Sequence, residues 1–171
     1  MFLDRDGVIN RAIVRAGTPY SPRTVEEFEF MPDAAASVDR LRAAGFYLAI
    51  ATNQPEIARG NLSWTALAAM HALIERRLGI SDIRVCPHED RDDCACRKPK
   101  PGMLLAAARD AHLDLPGSFM IGDRWRDVAA GRAAGCRTAL LDYKYDEAMD
   151  VRPDFTAASL AKAVDWVLSI S

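Results

Sequence analysis

An α/β fold, with a mainly parallel sheet between two helical layers, is the class this 171-residue sequence predicts. Three observations lead there. Short apolar segments alternate along the chain with longer amphipathic ones, the pattern of parallel strands joined by right-handed helical crossovers. Half of the residues are hydrophobic and 27% charged, enough for the core of one domain spanning residues 1–171. Polar signatures also stand directly after several of the apolar segments, where an open α/β sheet places its ligand crevice.

The elements follow in order. Phe2-Leu3 is a strand stub, and the polar stretch from Asn10 to Pro32 is too long for a plain strand–helix loop, so it reads as a flap or hairpin. Pro32-Asp33 opens a helix with Val38 and Leu41 on one face, ending near Gly45. The run Phe46 to Ala51 reads as a buried strand. Ser63 is placed as the N-cap of a helix whose inner stripe is Leu67, Met70, Leu73, Ile74 and Leu78. Ile83-Arg84-Val85 is a short strand, and Pro101-Gly102 leads into a helix through about Ala111. Ser118 to Ile121 is a strand, Val128 to Ala134 a helix stopped by Gly135, and Thr138 to Leu141 a strand. Leu160, Val164, Val167 and Leu168 mark the last helix.

The chemistry sits at the strand ends. Asp4-Arg5-Asp6-Gly7 sets two carboxylates two residues apart as the first strand finishes. Phosphoryl transfer needs a nucleophile, a proton-transfer group and a cation. Asp4 would attack phosphorus to give an acyl phosphate, and Asp6 would protonate the leaving alcohol and then activate water. Taken alone, such a pair reads by default as an exposed turn with two solvated acids. Gly122-Asp123 follows a later strand, with Asp127 four residues on. Asp123 beside Asp4 would complete an oxygen site for Mg²⁺, although an aspartate there also serves as a helix N-cap. Lys98 would hold phosphate and carboxylates together, and Thr52, Asn53 and Gln54 offer hydrogen bonds to phosphate oxygens. Each could equally be a polar side chain pointing into solvent; their order and placement at strand ends favour a joint site.

Cys86, His88, Cys94 and Cys96 fall within eleven residues. A Cys₃His set suits tetrahedral zinc with no open position, so the 86–96 segment is expected to be a structural zinc loop that places Arg97 and Lys98. His71 and His112 are expected on helix surfaces, and Cys136 as a small buried residue. With 24 acids against 22 bases the net charge is -2, which predicts neither nucleic-acid nor membrane binding. No apolar run is long enough to span a bilayer, and the first residues are unlike a signal peptide, so a cytoplasmic protein is expected, monomeric by default.

These motifs together resemble the haloacid dehalogenase (HAD) superfamily of phosphatases, and within it the zinc-containing heptose bisphosphate and histidinol-phosphate phosphatases. The resemblance rests on Phe2 to Asn10, Thr52-Asn53-Gln54, Cys86-Pro87-His88, Cys94 to Pro99 and Gly122-Asp123-Arg124. It implies a three-layer Rossmann-like fold, with Asp4 as nucleophile and Asp6 as acid/base, and no segment of the sequence is long enough for a large cap domain. It also implies magnesium held by Asp4, the backbone carbonyl of Asp6, and Asp123, with Arg97, Lys98 and Arg124 against substrate or phosphate. The implied substrate is a small phosphorylated metabolite, foremost D-glycero-D-manno-heptose 1,7-bisphosphate losing its 7-phosphate. Histidinol phosphate and other sugar phosphates are alternatives; a nucleic-acid end phosphatase or a noncatalytic zinc-stapled module fits less well. Ile57 to Gly60 and Lys98 to Met103 also resemble the heptose group. Pro55-Glu56 departs from that group's small Ser-Gly pair and would add bulk and negative charge beside the substrate loop.

Overall fold

The computed structural model describes residues 1–148 and 151–171. Strands β1 (Phe2–Leu3), β2 (Ile13–Arg15), β3 (Thr18–Tyr20), β4 (Ala49–Asn53), β5 (Asp82–Cys86), β6 (Phe119–Gly122), β7 (Arg137–Leu141) and β8 (Phe155–Ala157) are joined by five α-helices. These are α1 (Ala34–Ala43), α2 (Trp64–Leu78), α3 (Gly102–Asp110), α4 (Trp125–Ala134) and α5 (Leu160–Ser169). Six strands form one parallel sheet in the order β5-β4-β1-β6-β7-β8, and β2 pairs with β3 as a separate antiparallel hairpin.

Side chains alternate across a strand, so neighbouring residues serve opposite faces. Leu3, Ile50 and Ile121 join the inner stripes of α1, α2 and α5, including Val38, Leu41, Leu67, Met70, Ile74, Val164 and Val167. Phe2, Ala49, Ala51 and Met120 face Met103, Leu104 and Ala107 of α3 and Ala134 of α4. Both faces of the sheet are therefore covered, which is the three-layer arrangement expected of parallel strands.

Local signals explain several boundaries. Ser63 Oγ accepts from Ala66 N at 3.1 Å to start α2, and Gly79, with φ 64°, ends it. Ser159 caps α5 in the same way. Asp33 precedes α1 but caps α5 instead, accepting from Ala161 N at 2.9 Å, which ties the two neighbouring helices together. The expected flap contains the β2–β3 hairpin, turned by Ala16 and Gly17 with φ 47° and 77°.

Three expectations shift. The strand placed at Phe46 to Ala51 runs instead over Ala49–Asn53, because β1 and β5 offer pairing partners only from Ala49 onward. Strand β8 was not expected. Its short sequence lacks a clear pattern, and its position is set by pairing with β7 and by Asp154, whose carboxylate accepts from Thr138 N and Oγ1 at 2.7 and 2.9 Å. Helix α4 starts three residues early, at Trp125.

The chain builds β1, β4 and β5 to one side and then returns to lay β6, β7 and β8 on the other. The direction of winding reverses between β1 and β6, so a crevice opens at their carboxyl ends.

Candidate active site

Asp4 and Asp123 flank that crevice. Asp4 N donates to Ile121 O at 2.9 Å, continuing the β1–β6 ladder by one residue and aligning the two strand ends. Carboxylate oxygens of Asp4, Asp123 and Asp127 lie within 4.8 Å of one another, and all three side chains are buried. Gly7 permits this approach: its φ is 83°, and a Cβ there would stand 1.9 Å from Asp123 Oδ2.

Lys98 lies among the acids with its side chain 2% exposed. Its ammonium donates to Asp4 Oδ1 at 2.8 Å, Asp127 Oδ1 at 2.5 Å and Ala51 O at 2.6 Å, using all three donors. Asn53 clamps the Lys98 backbone, donating to Lys98 O at 2.9 Å and accepting from Lys98 N at 3.1 Å. The sequence places Asp127 beside Asp123 without giving it a role of its own. It is the second anchor of Lys98, and its other oxygen accepts from Arg124 N at 3.0 Å.

Asp6 sits apart from the three acids and is caged. Arg5, Asn10, Ser21 and Gln54 donate to its two oxygens at 2.7 to 3.1 Å. Burial alone would raise this carboxyl, but the Arg5 charge and the hydrogen bonds of Ser21, Asn10 and Gln54 outweigh burial and hold it below its ordinary value. Gln54, expected on phosphate, is fully buried and spends its amide on Asp6 and Thr52, at 2.8 Å each. Ser21 reaches Asp6 from the end of the hairpin, a pairing across the chain that no local signal announces. His71 departs from its expected surface position: its Nε2 lies 3.3 Å from Arg5 Nη1, behind the caged aspartate. His112 is exposed just past α3, and Cys136 is buried as expected.

The acid cluster is short of positive charge. Burial, followed by the Asp127 charge, pushes Asp4 up to about 7 against the pull of Lys98. Asp123 is raised well above its ordinary value, first by burial and then by Asp4 and Asp127. Tyr145 opposes that rise, yet neither Asp123 oxygen has a partner in hydrogen-bonding geometry. Two orphaned buried oxygens facing other carboxylates suit an oxygen-seeking divalent cation such as Mg²⁺, with Asp4, Asp123 and Asp127 as the residues able to hold it.

Cys86, His88, Cys94 and Cys96 form a second cluster. The Cys86 Sγ–Cys94 Sγ and Cys94 Sγ–Cys96 Sγ distances are 3.6 and 3.4 Å, and His88 Nδ1 is 3.6 and 3.4 Å from Cys86 and Cys96. Thiolates about 2.3 Å from a tetrahedral zinc ion would be about 3.8 Å apart, so the set fits zinc. Arg97 leaves this loop toward Asp90 and the His88 carbonyl, 2.8 and 3.0 Å away.

Asp4, Asp6, Thr52, Asn53, Lys98, Asp123 and Arg124 line one pocket, together with Asp127 and hairpin residues Pro19 to Ser21. A family model described as HAD-hydrolase-like matches residues 95–163. A D-glycero-β-D-manno-heptose-1,7-bisphosphate 7-phosphatase of Pseudomonas aeruginosa is 38% identical, the match covering 82% of this chain and 79% of that protein. A protein of that name from Escherichia coli K12 is 34% identical over 99% of this chain and 87% of its own. The chain belongs to the HAD-like hydrolases.

This HAD-like hydrolase is a phosphatase of the heptose bisphosphate phosphatase group. The D,D-heptose 1,7-bisphosphate phosphatase of B. bronchiseptica, crystallised with magnesium and phosphate, superposes with a TM-score of 0.81 at 30% identity, covering 100% of this chain and 98% of that one. The departure at Pro55-Glu56 is absorbed within the HAD-like chain. Glu56 is 6% exposed and neutralised by Arg23 at 2.5 Å and Arg59 at 2.7 Å, with Asn61 donating at 3.0 Å. It acts as a clamp between hairpin segment and loop, not as the free negative charge expected from the sequence. Among the described residues no helix is long and apolar enough to cross a membrane.

Proposed function

We propose that the chain removes the 7-phosphate of D-glycero-D-manno-heptose 1,7-bisphosphate through a phospho-aspartate on Asp4. The observation that carries the chemistry is the joining of Asp4 and Asp127 by buried Lys98 beside unpartnered Asp123. The heptose substrate is supported by relatives of 34% to 41% identity that bear that name.

In this mechanism an Asp4 oxygen attacks phosphorus, the bond from phosphorus to the sugar oxygen breaks, and Asp6 gives its proton to that oxygen. Asp6 then takes a proton from water, the resulting hydroxide attacks phosphorus, and the bond to Asp4 breaks to release inorganic phosphate and the free carboxylate. Asp6 is anionic in the free protein, and the charge of an arriving phosphate is what would raise it enough to carry the proton. Lys98 favours the ionised Asp4 needed for attack, opposing burial and the Asp127 charge, and stabilises charge on the transferring group. Thr52 faces the same pocket with a hydroxyl for phosphate. Gln54 and Ser21 act through Asp6, and Asn53 through Lys98. Magnesium, held by Asp4 and Asp123 with Asp127 or the Asp6 carbonyl adjoining, would neutralise phosphate charge when bound. Zinc on Cys86, His88, Cys94 and Cys96 would order the loop that carries Arg97 and Lys98.

The test is hydrolysis of an aryl phosphate, heptose 1,7-bisphosphate and histidinol phosphate, with and without Mg²⁺, by the wild type and Asp4→Asn. Magnesium-dependent turnover, lost in the variant and fastest on the heptose, supports the reading. Turnover by Asp4→Asn, or a preference for histidinol phosphate, refutes it.

A further inference from the structure

A second cleft continues from the acidic pocket, sharing with it Pro19, Ser21, Asn53, Arg124 and Arg126 among its walls. Four arginines line it: Arg59, Arg97, Arg124 and Arg126. Each is already paired with an acid. Arg59 bonds Glu56 and Glu89, and Arg124 bonds Glu147.

The third pairing differs, because one carboxylate serves two guanidinium groups from separate parts of the chain. Asp90 Oδ1 accepts from Arg97 Nε at 2.8 Å and from Arg126 Nη1 at 2.9 Å, and Oδ2 from Arg126 Nη2 at 3.3 Å. Arg97 follows the Cys/His cluster, whereas Arg126 lies in the first turn of α4. Their side chains are 12% and 25% exposed, while that of Asp90 is 61% exposed, on a short 3-10 turn. Two partly desolvated cations thus converge on an outward-facing anion at the edge of the cleft. The donor pattern is one that a phosphate group would also satisfy.

We propose that Asp90 is a specificity-determining residue that stands in for the second phosphate of a bisphosphorylated sugar, keeping Arg97 and Arg126 converged until that phosphate displaces it. The inference rests on the bisphosphatase reading above. In the free enzyme the pairing fixes two long side chains in advance, which lowers the ordering cost of binding. A ligand without a second phosphate has no means of displacing Asp90 and gains nothing from either arginine. A bisphosphate gains both but competes with the resident carboxylate, so Asp90 moderates the preference it helps to organise.

The experiment compares heptose 1,7-bisphosphate with heptose 7-phosphate, which carry the same scissile group. The full-length Mg²⁺-loaded wild type, Asp90→Asn and Asp90→Glu are assayed, with zinc content and melting temperature measured on each. For Asp90→Asn, the ratio of kcat/KM between bisphosphate and monophosphate is expected to rise about fivefold, the size of one partly exposed ion pair. The rise should sit in KM, and Asp90→Glu should hold the wild-type ratio. An unmoved or lowered ratio in Asp90→Asn overturns the role of Asp90. Wild-type protein that hydrolyses neither heptose phosphate would overturn the bisphosphatase reading as well, and the two failures are thereby separated.

Discussion

Lys98 and Asp127 form a 2.5 Å ion pair in which both side chains are only 2% exposed. A pair so deeply buried is costly to break from one side, since the remaining charge has no solvent to turn to. Lys98→Met would leave Asp4 and Asp127 facing each other beside an Asp123 whose oxygens already lack a partner. We expect loss of about 3 to 5 kcal/mol in urea denaturation without divalent ions. The same variant should lose kcat by at least about 100-fold.

The carboxyl of Asp4 predicts an unusual pH response. Its ordinary value is 3.8, and burial with Asp127 pushes it to about 7 in the fold. Between these values the folded chain holds a proton that the unfolded chain has released, so this group's stabilisation is present below pH 4 and is lost as pH rises toward 7. In EDTA, Asp4→Asn should therefore melt higher than wild type at pH 7.5, with the difference closing at acid pH. A variant that melts no higher than wild type at pH 7.5 would count against a charge-starved cluster.

His71 has the opposite sign. Burial, then the Arg5 charge, holds its imidazole at about 4 against an ordinary 6.5. The unfolded chain takes up this proton first, so stability falls as pH drops from 6.5 toward 4. An NMR titration should show a neutral His71 ring at pH 5.5, and His71→Gln should flatten this part of the melting profile.

Gly7→Ala combines two faults. The position has φ 83°, and the added methyl would lie 1.9 Å from Asp123 Oδ2. Relief requires moving the Asp4–Gly7 turn or Asp123, so the pair that flanks the crevice would separate. We expect destabilisation of about 2 kcal/mol or more, with Mg²⁺ no longer raising the melting temperature. A variant with wild-type magnesium stabilisation would show that this approach is not required.

Removal of metal from the Cys/His cluster should be felt at a distance. Cys96→Ser, or a zinc chelator, is expected to abolish about one bound zinc per chain and to lower the melting temperature. Activity should fall through Arg97 and Lys98, which leave the same loop. Elemental analysis beside the assay links the two losses; full activity in zinc-free protein would break that link.

Much of this was legible in the sequence. The fold class, the Cys₃His cluster, and the arrival of Asp4, Thr52 and Asp123 at strand ends all follow from local periodicity and spacing, because burial of a strand or helix face is written within a few residues. Tertiary structure alone decided that Lys98 joins Asp4 to Asp127, that Ser21 and Gln54 cage Asp6, and that Asp90 draws Arg97 and Arg126 together. It also moved β4 onto Ala49–Asn53 and added β8 as an edge strand. The physical reason is that a buried charge or a strand edge is satisfied by whatever the folded chain brings beside it. Asp4 and Lys98 are 94 residues apart in sequence, and neither specifies the other until the sheet has formed.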